Sequence, residues 1–572
     1  MNINIFRQTR INNAANLKSP RLLQRRVVTP PPPVAAPRAM QSGLSPYSGT
    51  WDKRHVIHLL KRTMFGAVPE DITYLLSLSP SEAVDALLSV PPDPAPPVNN
   101  YHFPDFDDPI IDPHIEPGQV WVYDDVYVED PNVQYGRFIS LKAWWLRLMI
   151  EQPLGVFEKM NLFWCNHFGT KFGELFEGRF SYRHLMTLRQ HALGNIKAMV
   201  RAITTDPQML IFLNGASNQA GAPDENYARE LQELFCVGKG MGAQYTENDV
   251  QEAARVLTGW TIIDYNDITV QFLPILHDNQ DKHFSDFYGN TTIEGQTGVS
   301  GADELDALLD MLFANPEVAK FLCRKLYRFF VYHHIDEQTE TDVIEPLAQI
   351  MRDNNYEILP VLQALFKSEH FFDDLNRAAV IKSPIDYFIG MFREFGMPFI
   401  PQDYLNETWI LGEYLNYQLF LFSQEPGDPP NVAGYPAYYQ SPQFDKLWIN
   451  TDTLPRRVQL TEAILYYGYY YSDTEAFKID AVAFAASLPD PSDPNLLIQA
   501  IAEQMCIYGL SDEVTAHLKT ILLYNQTSDY YWTIAWFNYA NDPTNEEAYN
   551  IVNYLLSETY HYMLSLEEYQ LM

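Results

Sequence analysis

Residues Asp224-Glu225-Asn226-Tyr227-Ala228-Arg229-Glu230-Leu231-Gln232-Glu233-Leu234-Phe235 carry the period that decides the fold. At about 100° per residue, Tyr227, Leu231, Leu234 and Phe235 fall on one side of a helix, and Asn226, Arg229, Glu230 and Glu233 gather on the other. With Glu225 one turn earlier, three carboxylates and an arginine share one neighbourhood. Such a set suits a metal or acid/base site, or a salt-bridged helix face.

The same period continues outward in both directions. Towards the N-terminus it recurs in Trp51, Val56, Leu59, Leu60 and Met64, and in a helix pair over 140–168 broken at Pro153. Residues 184–213 are helical again, with a break at Asp206-Pro207, and a small polar loop, 214–221, leads into the central helix, where Pro223 is placed at the first position. Towards the C-terminus, Thr246-Glu247-Asn248-Asp249 reads as a cap opening a helix that buries Val250, Ala253, Ala254 and Leu257. Helical patterns follow over 302–313, 318–332, 343–366 and 385–395, and the remainder is Tyr-rich helix. Only 261–299 changes period: Thr269–Phe272 and Thr291–Ile293 read as short strands around a loop holding His277, Asp278 and His283. The expected fold is mainly α: one large multi-helical domain over 46–572 with a few short β-hairpins, preceded by an extended Pro-rich arm over 1–45. An internal boundary is placed near residue 400, and 92–132 reads as an acidic, irregular, solvated insertion.

Composition excludes several classes. Hydrophobic residues make up 47% and aromatics 14% of 572 residues, a globular composition. With 73 acidic against 39 basic residues the net charge is −34, which repels a phosphate backbone and sets nucleic acid aside. No apolar run is long enough to span a membrane. Cys165, Cys236, Cys323 and Cys506 lie far apart in apolar helical patterns and read as buried thiols. Residues 238–242 lack the spacing of a nucleotide loop.

The second helix of the 140–168 pair ends in Phe163-Trp164-Cys165-Asn166-His167-Phe168-Gly169. His167 either reaches a cleft or caps final helix carbonyls. His277 and His283 are six residues apart, a spacing that favours surface histidines over helix-borne ligands. Arg324, Lys325 and Arg328 form a basic stripe expected to offset carboxylates of the central helix.

Ten ordered stretches resemble a bacterial family of unknown function, the DUF1800 proteins. They include Leu59–Gly66, Phe163–Gly169, Glu225–Phe235, Tyr245–Trp260, His277-Asp278, Arg324–Phe330, Ile381-Lys382-Ser383-Pro384, Pro430–Gly434 and Glu568–Met572. The resemblance implies an exported protein and a partner of DUF1501 type, itself similar to sulfatases and phosphatases. One position departs from the family pattern: Cys165 stands where a first histidine is usual. Residues 1–26 are basic without an apolar core, so no ordinary secretory signal is visible, and a cytoplasmic location is the alternative to an extracytoplasmic one.

Two functions follow. The first is an exported scaffold or partner-binding protein, in which the polar helix cluster is structural and aromatic loops such as 435–439 form the contact surface. The second is a metal-dependent hydrolase. There His167, Glu225, Glu230 and His277 would hold a divalent metal ion, while Glu230, Glu233, Arg229 and Asn226 carry the chemistry.

Overall fold

A computed structural model describes residues 42–240 and 242–572. Helices dominate, as the 3.6-residue period predicts, and among the described residues strands occur as three two-stranded antiparallel pairs. Of the arm expected over 1–45, all but 42–45 lies outside the described residues.

The helices used below are α1 (Lys53–Thr63), α2 (Pro131–Glu151), α3 (Phe157–His167), α4 (Glu225–Glu230), α5 (Glu247–Val256), α6 (Pro316–Phe330), α7 (Pro384–Glu394), α8 (Leu405–Leu421), α9 (Pro494–Met505), α10 (Asp512–Leu522), α11 (Tyr530–Asn541) and α12 (Glu546–Leu564). Helix α2 buries Phe138, Leu141, Trp145, Leu146 and Met149 and is covered on most sides. A helix covered all round needs partners for its polar groups. Three cations along α2 each fasten a different segment. Arg137 holds Asp112 and Asp124 at 2.8 and 2.6 Å, Lys142 holds Glu425 and Asp428, and Arg147 donates to the Ile400 carbonyl.

This corrects the reading of 92–132. The segment is irregular, and Asp105, Asp107 and Asp108 are exposed, but Tyr101, Asp112 and Trp121 turn inward. Burial alone would raise the Asp112 carboxyl. The His114 N–H and the Arg137 guanidinium outweigh it and hold the group below its ordinary value. Helix α8 packs along α2, so residues on either side of position 400 share one interface and one hydrophobic core.

Strand pairing also differs from expectation. β1 (Trp260–Asp264) pairs with β2 (Thr269–Phe272), and β3 (Lys282–His283) with β4 (Thr292–Ile293). The two segments read from the sequence therefore belong to separate hairpins, because each found a nearer antiparallel neighbour. All four cysteines are free and buried, as expected.

The C-terminus closes the body. Leu571 bridges Ile381, the Lys382 N–H donates to the Gln570 carbonyl at 2.8 Å, and Tyr569 is fully buried. Beneath this tail, Lys61 of α1 meets Glu394 of α7 at 2.6 Å, with both side chains at most 1% exposed. Lys61 also donates to the Met505 carbonyl at 2.8 Å, and the Tyr569 hydroxyl donates to Glu394 at 3.1 Å. Lys382 has no such anion. Its ammonium sits 3.6 Å above the Tyr569 ring without a hydrogen bond, and burial, reinforced by Lys61, pushes it down to about 7.

Candidate functional site

Asp224 caps α4 by accepting the Asn226 N–H at 2.8 Å, which places Pro223 outside the helix and not at its first position. After Glu230 the chain continues as a π-helix, Leu231–Cys236, in which the Val237 N–H bonds back to the Gln232 carbonyl. The wider turn alters the buried face. Leu234 is rotated partly out, while Gln232 and Cys236 are buried with Tyr227, Leu231 and Phe235.

The charged face is closed upon itself near the surface. Arg229 reaches Glu225 at 2.8 Å, Glu247 of α5 at 2.5 Å and Glu233 at 4.0 Å, and Lys239 covers Glu233. The i−4 and i+4 partners of Arg229 are those its spacing predicts; Glu247 is an addition. Asn226 makes no side-chain hydrogen bond among the described residues. Glu230 has no cation in contact. Burial, then repulsion from Glu233, raises its carboxyl above the ordinary value. The expected pairing of Glu230 with Arg324 or Arg328 does not form, because Arg324 is taken by Glu317 and Glu340 at 2.5 Å each. Glu230→Gln is therefore expected to change folding free energy by less than about 0.5 kcal/mol, with any change towards greater stability, in thermal denaturation at pH 7.

His167 lies at the other end of this helix and is 1% exposed. A carbonyl can only accept, so Nε2–H donates to the Phe235 oxygen at 3.1 Å, and Nδ1 accepts from Lys325 at 3.1 Å. Lys325 also donates to the Leu234 carbonyl at 3.0 Å. These are final carbonyls that no further turn can satisfy, at the negative end of the helix dipole. His167 does cap helix carbonyls, but those of another helix. Burial and Lys325 hold its imidazole well below the ordinary range, and burial brings Lys325 down to about 7.

His277 is buried, contrary to the surface reading. Its Nδ1 donates to the Thr258 carbonyl at 2.9 Å, its Nε2 lies 3.1 Å from Glu304, and Lys282 shares that carboxylate. A Cβ on Gly301 would meet the imidazole at 2.6 Å, so the close approach requires glycine there. His167, Glu225 and His277 thus have separate partners, and Glu230 is bonded to none of them. Among the described residues no three His, Cys, Asp or Glu side chains gather as a metal would need.

Another set of groups does converge. Lys159 of α3, Arg328 of α6, His333, Ser383 and Asp386 at the start of α7, Tyr438, Asp445 and Trp448 line one cavity of about 20 Å³, room for one or two waters. Asn166 anchors the loop that brings Tyr438 to the cavity: its Oδ1 accepts the Tyr435 N–H at 2.8 Å, and Gly434, at φ +89°, lets the loop pass where a Cβ would strike that oxygen. Tyr435 and Tyr438 pack against Trp448. The loop 435–439, expected as a contact surface, is thereby folded inward, and only Tyr439 is exposed.

The charges of the cavity do not balance in pairs. Lys159 is paired with Asp386, whose other oxygen accepts from Ser383 at 2.8 Å. His333 Nδ1 lies 2.6 Å from Asp445 Oδ1, though neither atom is aligned for a hydrogen bond. Arg328 has neither ion pair nor hydrogen bond among the described residues, and its buried Nε is unsatisfied. It only stacks over Phe444, 6.0 Å away, while burial and Arg324 disfavour its charge. Arg328 is half-buried as a residue, with Nε its one buried unsatisfied atom, and the cavity it faces also holds the Asp386 and Asp445 carboxylates.

Sequence reasoning missed this cavity as a site. Its signal was present, since Arg324–Phe330, Ile381–Pro384 and Glu568–Met572 each contribute residues that line it. No curated protein and no solved structure matches the chain. The family model described as a protein of unknown function, DUF1800, matches residues 58–571, so the chain belongs to the DUF1800 family.

Proposed function

We propose that this DUF1800 protein is a non-catalytic, partner-binding scaffold that recognises a carboxylate through Arg328. The observation that carries the reading is the Arg328 guanidinium, without an ion pair or hydrogen bond among the described residues, beside a small cavity. Arg328 supplies the charge and a ring N–H of His333 a second donor. For a metal-dependent hydrolase, no group of three His, Cys, Asp or Glu side chains gathers among the described residues. Family resemblance supports an extracytoplasmic setting and a DUF1501-type partner as the bearer of the carboxylate.

Titration of the full chain with formate and acetate tests this. At a hundredfold excess over Kd, binding adds about 2.7 kcal/mol to folding stability. The effect is expected to vanish in Arg328→Met. Equal stabilisation of Arg328→Met by either anion would remove the carboxylate reading.

A further inference from the structure

Helices α10, α11 and α12 leave a groove of about 370 Å³ on the outer surface, lined chiefly by Leu522, Tyr524, Tyr531, Ala535, Ile551 and Tyr554. Tyr524, Tyr531 and Tyr554 remain 62%, 51% and 50% exposed, so three aromatic rings stand in water along one channel. The same face of α12 continues past Ile551 and Tyr554 to Asn550, Glu547 and Glu546. The groove is apolar and aromatic along its floor and acidic at one end.

We infer that this groove is the docking site of the chain's own N-terminal arm, the segment Arg25-Arg26-Val27-Val28-Thr29-Pro30-Pro31-Pro32-Pro33. Three observations select that occupant. Consecutive prolines favour a polyproline II helix, which loses little entropy on binding and seats its rings between exposed aromatic side chains. The first 41 residues hold seven basic residues and no acidic one, opposite in sign to the rest of the chain and to the Glu546-Glu547 rim. The tether is also longer than α10, which leads from the neighbourhood of Ser42 to the groove. Ser42 donates to Asp373 at 2.7 Å, and the next residue, Asp374, accepts from Tyr508 at 2.5 Å, just ahead of α10. The eleven residues of α10 cover roughly 16 Å to the groove at its far end. Nine residues of extended chain from Pro33 back to Ser42 span about 28 Å.

The test is hydrogen exchange by mass spectrometry on the full chain, a variant lacking residues 1–41, a Pro30–33→Ser variant and Tyr531→Ala. Amides over 519–535 and 546–556 are expected to exchange about ten-fold faster in all three variants, with the protection of α7 unchanged. A synthetic peptide of residues 25–38 added to the truncated chain should restore the protection. Equal exchange in the full and truncated chains overturns the proposal and leaves the groove to another partner. Protection that appears only as protein concentration rises also overturns it, since the arm would then come from a second copy.

Discussion

Replacing Glu394 with alanine is expected to lower the folding free energy by about 3–5 kcal/mol, seen as a large drop in the denaturant midpoint. The reason is Lys61, which would keep its position beneath the C-terminal tail with only the Met505 carbonyl as partner. The ammonium is 1% exposed, so neither water nor salt can replace the lost carboxylate. Tyr569 would lose its acceptor at the same time. Glu394→Gln, which keeps the acceptor oxygen but not the charge, should cost less. The double variant Lys61→Met, Glu394→Leu should recover most of the loss, because removing both charges removes the desolvation penalty too. A single alanine variant as stable as wild type would mean that the pair is hydrated.

The second large effect has the opposite sign. Lys382→Met is expected to stabilise the protein near neutral pH, and the gain should fade as pH rises. The folded value of Lys382 is about 7, well below the value near 10.4 of an unfolded lysine. Between these values the unfolded chain holds a proton that the folded chain lacks, so stability from this group climbs with pH through that window and its penalty is full below it. A shift of that size corresponds to a penalty on the order of 4 kcal/mol. The Tyr569 face, 3.6 Å away, returns about 2 kcal/mol when the ammonium is charged, leaving about 2 kcal/mol to be gained. Denaturation of both proteins at pH 7 and pH 10 checks it. The comparison must be a difference, because the four buried thiols are held above their ordinary values and work against stability as pH rises. A gap that does not narrow by pH 10 would assign the gain to packing alone.

Local chemistry was legible in the sequence wherever partners are close along the chain. The helix pair around Pro153, the Thr246 cap with its returning Asp249 and the pairing of Arg229 with Glu225 all follow from spacings of a few residues. What failed depends on long separations. Arg324 was assigned to the central helix, yet it meets Glu317 and Glu340 on its own and a neighbouring turn. The π turn after Glu230 has no sequence signature, and it redirects the helix end that His167 and Lys325 cap. The cavity draws on positions 159, 328, 333, 386 and 445, whose shared purpose is visible only once α3, α6 and α7 are packed. Three of its borders lie in separate family stretches, 324–330, 381–384 and 568–572, whose meeting point the sequence does not show. The emphasis on Glu225, Glu230 and Glu233 reflected their density along the chain, which on a surface face needs only an arginine and a lysine to explain it.

The contact between Lys61 and the Met505 carbonyl spans 444 residues. During synthesis at about 5–20 residues per second, α1 would wait roughly 20 to 90 seconds before its partner exists. Through that interval Val56, Leu59, Leu60 and Met64, all fully buried in the finished protein, have no C-terminal cover. The helix can meet its immediate neighbour, 69–76, at once, but Lys61 stays without its Met505 acceptor for most of the chain's synthesis.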